Sequence, residues 1–260
     1  MKKYIIYLLI VIGILLGVLS LRVLLAEDKY ISVEIIASGG DWWETLPKTP
    51  YWLADSVVPG IVEYSIGGKK IAEVLETKKY DEDSNKILWA RVRLLVTPDK
   101  TSKGWRFRQM PLNIGSTLTI EPNNINLAGS VISIEGVGQS GIYRNISLTV
   151  KLIDRFPWYA DAIPIGLKVV DDQGGEIAEI LDKKIILSEI MVQTSDGRVL
   201  LRQNPLKRDI ILSLKIQVVE RNGQVYFNQV QSVKIGKSLW IQTPRLNLWD
   251  ANIMKVEGFF

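Results

Sequence analysis

"GGKKIAEVLE" (Gly67–Glu76) and "GGEIAEILD" (Gly174–Asp182) are nearly the same phrase, written twice in one chain of 260 residues. When Ala54 is laid over Ala160, "ADSVVPGIVEYSIGGKKIAEVL" falls on "ADAIPIGLKVVDDQGGEIAEIL" without a gap. The agreement spreads outward. "YISVEII" from Tyr30 matches "NISLTVKL" from Asn145, and "NIGSTLTIEP" from Asn113 matches "KIGKSLWIQTP" from Lys234. "INLAGSVISIEG" from Ile125 matches "LNLWDANIMKVEG" from Leu246 with a one-residue gap. The segments keep one order in both halves, which is the mark of a duplicated unit of about 110 residues, the size of a small domain. "EGVGQSGIYRN" (Glu135–Asn145), rich in glycine, divides the copies. The expected organisation is residues 1–29 as an anchor, 30–138 as a first β repeat and 139–260 as a second.

The pattern inside each copy has period two. Leu88, Ala90, Val92, Leu94 and Val96 share one face of "ILWARVRLLV"; Ile210, Leu212, Leu214, Ile216 and Val218 share one face of "DIILSLKIQVV". Such alternation predicts half-buried strands. "TPDKTSKG", "ERNGQ" and "DDQGG" punctuate them, and Asn222-Gly223 signals a tight hairpin. Gly60, Gly166, Gly115 and Gly236 stand before strands in both copies and suit turns with positive φ. A short helical piece is expected at "TPYWLADSV" and at "FPWYADAI", where proline can open a helix. The fold class is all-β, an N-terminal transmembrane helix followed by two tandem duplicated small β-barrel-like domains, closure being one way to protect strand edges. Each copy carries a full strand set, so the second is expected to fold alone.

"YIIYLLIVIGILLGVLSL" (Tyr4–Leu21) has no charge. As a helix it spans roughly 27 Å, close to the hydrocarbon thickness of a bilayer. Arg22 can snorkel, extending the span to Ala26. Lys2 and Lys3 precede it, which orients the chain with its N-terminus in and its β repeats outside the cytoplasmic membrane. A cleaved signal is the competing reading, but "RVLLA" sets Leu24 where a small residue belongs.

Composition narrows the chemistry. Of 32 Lys and Arg residues three lie in the anchor, leaving 29 against 28 Asp and Glu, so no nucleic-acid partner is expected. There is no cysteine and no histidine, which removes disulfides, thiolate nucleophiles, the commonest general base and the commonest transition-metal ligands. No catalytic, cofactor-binding or metal residue is assigned, and the chain is not expected to be an enzyme.

"VKLIDRFPWYADAIPIGLKVVDDQGGEIAEILD" (Val150–Asp182) and "LKRDIILSLKIQVVERNGQVYFNQVQSVKIGKSLWIQTP" (Leu206–Pro244) resemble the bacterial domain-of-unknown-function 4330 family. That resemblance implies one N-terminal membrane helix and a β unit, usually single; it implies no activity. A looser likeness is to the mammalian-cell-entry domains of lipid-transport systems, which implies ring assembly.

Recurrence alone explains the paired carboxylates Asp55 with Asp161 and Glu73 with Glu179, the Asp bonding nearby amides and the Glu facing solvent. "DEDSN" (Asp81–Asn85) mimics the start of a calcium loop, but Lys86 and Val92 occupy the positions for Gly and Glu, so it reads as a solvated hairpin tip. Two differences between the copies are more informative. The stretch Ile31 to Ala54 is longer than Ile146 to Ala160 and carries Trp42 and Trp43. These suit a membrane interface, a glycan platform, a protein hot spot or a cap on the barrel. Arg91 and Arg93 in "WARVRLL", with Arg106 and Arg108 in "WRFRQ", could form one outward face, their counterparts Ile211, Ser213, Val225 and Phe227 being neutral. Either neighbouring acids such as Glu73 neutralise that face, or an anionic lipid or polymer does. The function expected is a non-enzymatic, single-pass envelope scaffold or assembly adaptor with a protein partner or self-association. The alternatives are a lipid-handling ring component and a glycan-binding module.

Overall fold

The computed structural model describes residues 29–37, 48–99, 104–137 and 141–258. The predicted span and the Trp42–Trp43 loop lie outside these residues. Among the described residues no helix is long and apolar enough to cross a membrane.

The first half contributes β1 (Lys29–Ala37), β2 (Thr49–Pro50), helix α1 (Tyr51–Ser56), β3 (Val62–Tyr64), β4 (Lys70–Glu82), β5 (Asn85–Pro98), β6 (Trp105–Phe107), β7 (Met110–Leu112), β8 (Thr117–Ile120) and β9 (Leu127–Ile134). The second contributes β10 (Ile142–Arg155), helix α2 (Pro157–Asp161), β11 (Lys168–Val170), β12 (Glu176–Gln193), β13 (Val199–Arg221), β14 (Gln224–Phe227), β15 (Gln231–Ser232), β16 (Ser238–Gln242) and β17 (Asn247–Glu257). The main path of one sheet runs β3-β4-β5-β1-β9-β8, and that of the other β11-β12-β13-β10-β17-β16. The two orders are identical when equivalent strands are matched, so the duplicated sequence builds a duplicated, antiparallel, β-barrel-like sheet.

The equivalence reaches single hydrogen bonds. Gly60 N–H donates to Val74 O and Gly166 N–H to Ile180 O; Gly115 N–H donates to Val131 O and Gly236 N–H to Ile253 O. All four glycines have φ between 79° and 91°, a region that excludes most side chains. The one-residue gap in the repeat is a β-bulge. Its extra residue is Asp250, at φ 54°, beside the register shift of β16 and β17 between Leu239 and Ile241. The helices open at Pro50 and Pro157, as proline's fixed φ allows.

The alternating apolar residues read from β5 and β13 are all buried. Each sheet curls around such a face. In the first, β3 at one edge meets the 3-10 turn Pro122–Asn124 that follows β8 at the other: Glu121 N–H donates to Glu63 Oε2 (2.9 Å) and Val62 N–H to Asn123 Oδ1 (3.5 Å). In the second, Tyr159 on α2 donates to Asn247 O, and Arg155 to Trp249 O.

The apolar core of the second unit is shared with the first. Ile36, Tyr80, Ile87 and Trp89 belong to the first sheet but join the apolar cluster of the second. They project from the outer face, opposite the first unit's own core, and Trp89 is 1% exposed. The tip at Asp81–Asn85 is likewise not solvated throughout. Asp83 N–H donates to Gln242 Oε1 of the other unit (2.7 Å), and Glu82 is buried with Lys48 at 3.6 Å.

Removal of the indole in Trp89→Ala should cost about 3–5 kcal/mol and lower the denaturation midpoint of both units together, as two probes, one in each unit, would show in urea. A fragment of residues 143–260 should melt well below the intact chain. Equal melting temperatures would show that the second core closes without the first.

Candidate functional site

Three of the four arginines singled out in the sequence are held by carboxylates of their own unit. Pleating places Arg91 and Arg93 on the outer face of β5. Glu34 on β1 and Glu76 on β4 are both register partners of Arg91, at 3.4 and 3.0 Å. Glu73, the partner of Arg93 on β4, lies 3.6 Å from it and 3.4 Å from Lys70. Arg108 leaves the face altogether. It sits at φ 47° in the turn from β6 to β7, and its guanidinium pairs with Glu63 on β3. That carboxylate, largely buried, also accepts from Glu121 N–H, so Arg108 belongs to the closure of the barrel.

Arg106 is exposed and makes no ion pair with a described residue. It stands opposite Thr97, four residues along β5 from Arg93, or roughly 13 Å. The four guanidinia therefore do not form a single uncompensated face.

The register also corrects their counterparts. Ala72 faces Leu94 and Ala178 faces Ile216, which aligns Arg91 with Ser213 and Arg93 with the cation Lys215. Phe107 and Phe227 are equivalent and precede paired positive-φ turns, which aligns Arg106 with Tyr226 and Arg108 with Asn228. The charge asymmetry is smaller than the unaligned strands suggested.

The recurring carboxylates have structural partners in the first unit. Asp55 accepts from Lys86 Nζ at 2.7 Å, rather than from backbone amides, and this hydrogen bond lowers its pKa. Glu73 serves Arg93 and Lys70 as described.

Sequence reasoning passed over two features. One is a polar seam between the units. Lys79 and Asp172 exchange main-chain and carboxylate bonds, Gln173 Nε2 donates to Thr77 O (2.8 Å), and Gln229 Nε2 donates to the hydroxyls of Tyr80 and Tyr143. Buried Arg221 donates to both oxygens of Gln229; desolvation lowers its pKa and the Glu34 charge opposes that. The signal was the repeated Phe-x-Gln, in which Gln109 and Gln229 both take positive φ.

The other is a ribbon. β12 and β13 continue past the barrel and stay paired out to Gln193 opposite Val199. The stretch between the equivalent pairs is 22 residues from Ala72 to Leu94 but 38 from Ala178 to Ile216. Along the ribbon Met191 is 80% exposed and Leu206 71%, with Val199 and Leu201 also exposed. The length difference was countable in the sequence. Alternation there is broken by runs such as "IIL" and "VLL", which hid which face was free.

At the base of the ribbon Asp209 is buried and accepts from Lys151 Nζ (2.8 Å), Ser188 Oγ (2.6 Å) and Asp154 N–H (3.0 Å). Desolvation alone would raise its pKa; the ammonium and the two hydrogen bonds outweigh it and hold the carboxyl below its usual range.

No protein-family model, curated protein or solved structure matches the chain.

Two outcomes follow from this geometry. Arg108→Ser should destabilise by about 1–3 kcal/mol, because it strips a buried carboxylate of its cation, whereas exposed Arg106→Ser should stay within about 0.5 kcal/mol. Equal losses in urea melts would contradict the assignment of Arg108 to barrel closure. A depressed folded pKa makes Asp209 stabilising above its unfolded value of ~4, a contribution lost as pH falls through the folded value. Asp209→Asn should therefore be less stable than the parent at neutral pH, with the difference shrinking below pH ~4 in acid titrations of the melting midpoint.

Proposed function

We propose that the chain is a non-enzymatic, single-pass bacterial envelope protein. An N-terminal helix anchors it in the cytoplasmic membrane, N-terminus in, and the two β units act outside as one scaffold or assembly adaptor. The ribbon formed by β12 and β13 carries the adaptor reading. It offers Met191, Val199, Leu201 and Leu206 to the surroundings on a paired two-stranded support. An apolar patch of this kind on a soluble unit marks a contact surface. The buried seam between the units supports the scaffold reading, since it fixes where the ribbon stands relative to the first unit. The uncharged stretch Tyr4–Leu21 and the lysines before it support the anchor and its orientation.

A lipid-handling role is the second reading, favoured by the apolar side chains present on both strands of the ribbon. A photo-crosslinker at Met191 in intact cells separates the two. Adducts with protein support the adaptor; adducts with lipid alone support lipid handling. Protease added to intact spheroplasts should remove the β units and leave the helix, and protection of the C-terminus would overturn the orientation.

A further inference from the structure

The chain contains one worked example of how the β4–β5 type of hairpin docks on a β unit. Beyond Val74, whose amide and carbonyl still bond Ile61 and Gly60, β4 has no further pairing with β3. Thr77 and Lys79 on that stretch bond to the turn at Asp172–Gln173, between β11 and β12 of the other unit. Tyr80, Ile87 and Trp89 of the same hairpin then fill the second unit's apolar cluster.

Duplication supplies a second hairpin and a second receiving face; on the hairpin Lys183 Nζ donates to Ala160 O and Ile163 O of its own unit, and among the described residues neither surface docks on the other unit. The second hairpin is β12–β13. A bulge follows Val74 in β4 and Ile180 in β12, which aligns Thr77 with Lys183 and Lys79 with Ile185. The β12 edge beyond Ile180, whose amide and carbonyl still bond Leu167 and Gly166, makes no main-chain hydrogen bond to a described residue outside β13. Its exposed side chains, Ile185, Ile186 and Leu187, stand where the docked hairpin has Lys79, Tyr80 and Asp81. The second receiving face is the turn between β3 and β4. There Ile66 replaces Asp172 and is fully exposed, and exposed Met110 replaces Val230, which in the other unit packs against the shared cluster.

Ile186 on the hairpin, in the place of Tyr80, and Ile66 and Met110 on the receiving face are thus exposed apolar groups at positions equivalent to the formed interface. At the inner end of the hairpin face Lys151 and Asp209 take the places of Ile36 and Ile87 as an ion pair. The apolar contact thus runs from Ile186 outward along the ribbon, where the extra length lies.

We propose that the partner of the ribbon is a second copy of this chain. The ribbon of one copy docks on the Tyr64–Ile66 turn face of the next, repeating between chains the contact made within the chain. This commits the adaptor reading above to a self-assembling scaffold and rests on it. Donor and receiver are different surfaces, so the contact is head to tail and propagates until it closes into a ring or extends as a filament.

The test uses the full chain in detergent micelles, followed by native mass spectrometry and light scattering at rising concentration. The wild type should assemble beyond dimers. A ribbon variant, Ile186→Lys with Met191→Lys, and a receiver variant, Ile66→Lys with Met110→Lys, should each weaken assembly at least tenfold while keeping the parent's circular dichroism and melting temperature. All four positions are exposed, so folding is spared. Mixed together, the two variants should form one-to-one dimers and stop, because each retains one intact surface. A monomeric wild type, or variants that assemble like it, would overturn the proposal. So would a ribbon variant that stays assembled but loses binding to phospholipid vesicles, since the membrane would then be the occupant. A monomeric wild type whose Met191 crosslinks a different protein removes self-assembly and leaves the adaptor reading standing; lipid adducts alone remove both.

Discussion

The outer face of β5 is where the two halves become one object. On a half-buried strand that face should meet water, yet Ile87 and Trp89 are buried in the other unit's cluster together with Ile36 and Tyr80. Burying four such side chains is worth several kcal/mol, at about 1.5–3 kcal/mol for each large one. The seam also desolvates polar groups, and these find partners: Gln229 links Arg221, Tyr80 and Tyr143, and burial pushes the Tyr80 hydroxyl to a raised pKa. A sheet that uses both faces cannot rotate against its neighbour. The ribbon of the second unit therefore projects in a direction set by the first.

The second unit lacks that use of its equivalent face. Lys151 and Asp209 stand where the first unit has Ile36 and Ile87, and the ion pair, with Ser188 and the Asp154 amide, closes the surface with polar groups. Exposed apolar side chains stand beside it at Ile186, the register partner of Asp209, and further out at Met191. Two copies of one sequence have thus diverged at the positions that decide what each can touch.

Charges follow the same division. Cross-strand register sets Glu34 and Glu76 beside Arg91 and Glu73 beside Arg93, so the cations on β5 are balanced by their neighbours. Surface pairs of this kind contribute little each, typically under about 1 kcal/mol. Their effect is on what the face attracts, since a neutralised face has weak pull on an anionic lipid or polymer. Arg106 alone of the four retains an exposed charge without an ion pair to a described residue.

Local pattern determined the duplication, the strands, the turn glycines and the buried faces of β5 and β13. Period-two alternation and positive-φ turns act over a few residues, and both copies state them. The second helix began at its proline for the same reason. The pairing of Arg108 with Glu63, the true counterparts of the arginines and the burial of Trp89 were decided only by tertiary structure. Each depends on register or on contact between residues distant in the chain, and a slip of one residue in register exchanges the two faces of a strand. Trp89 reads as an outward residue of an alternating strand, and nothing near it in the chain says that a second barrel will cover it.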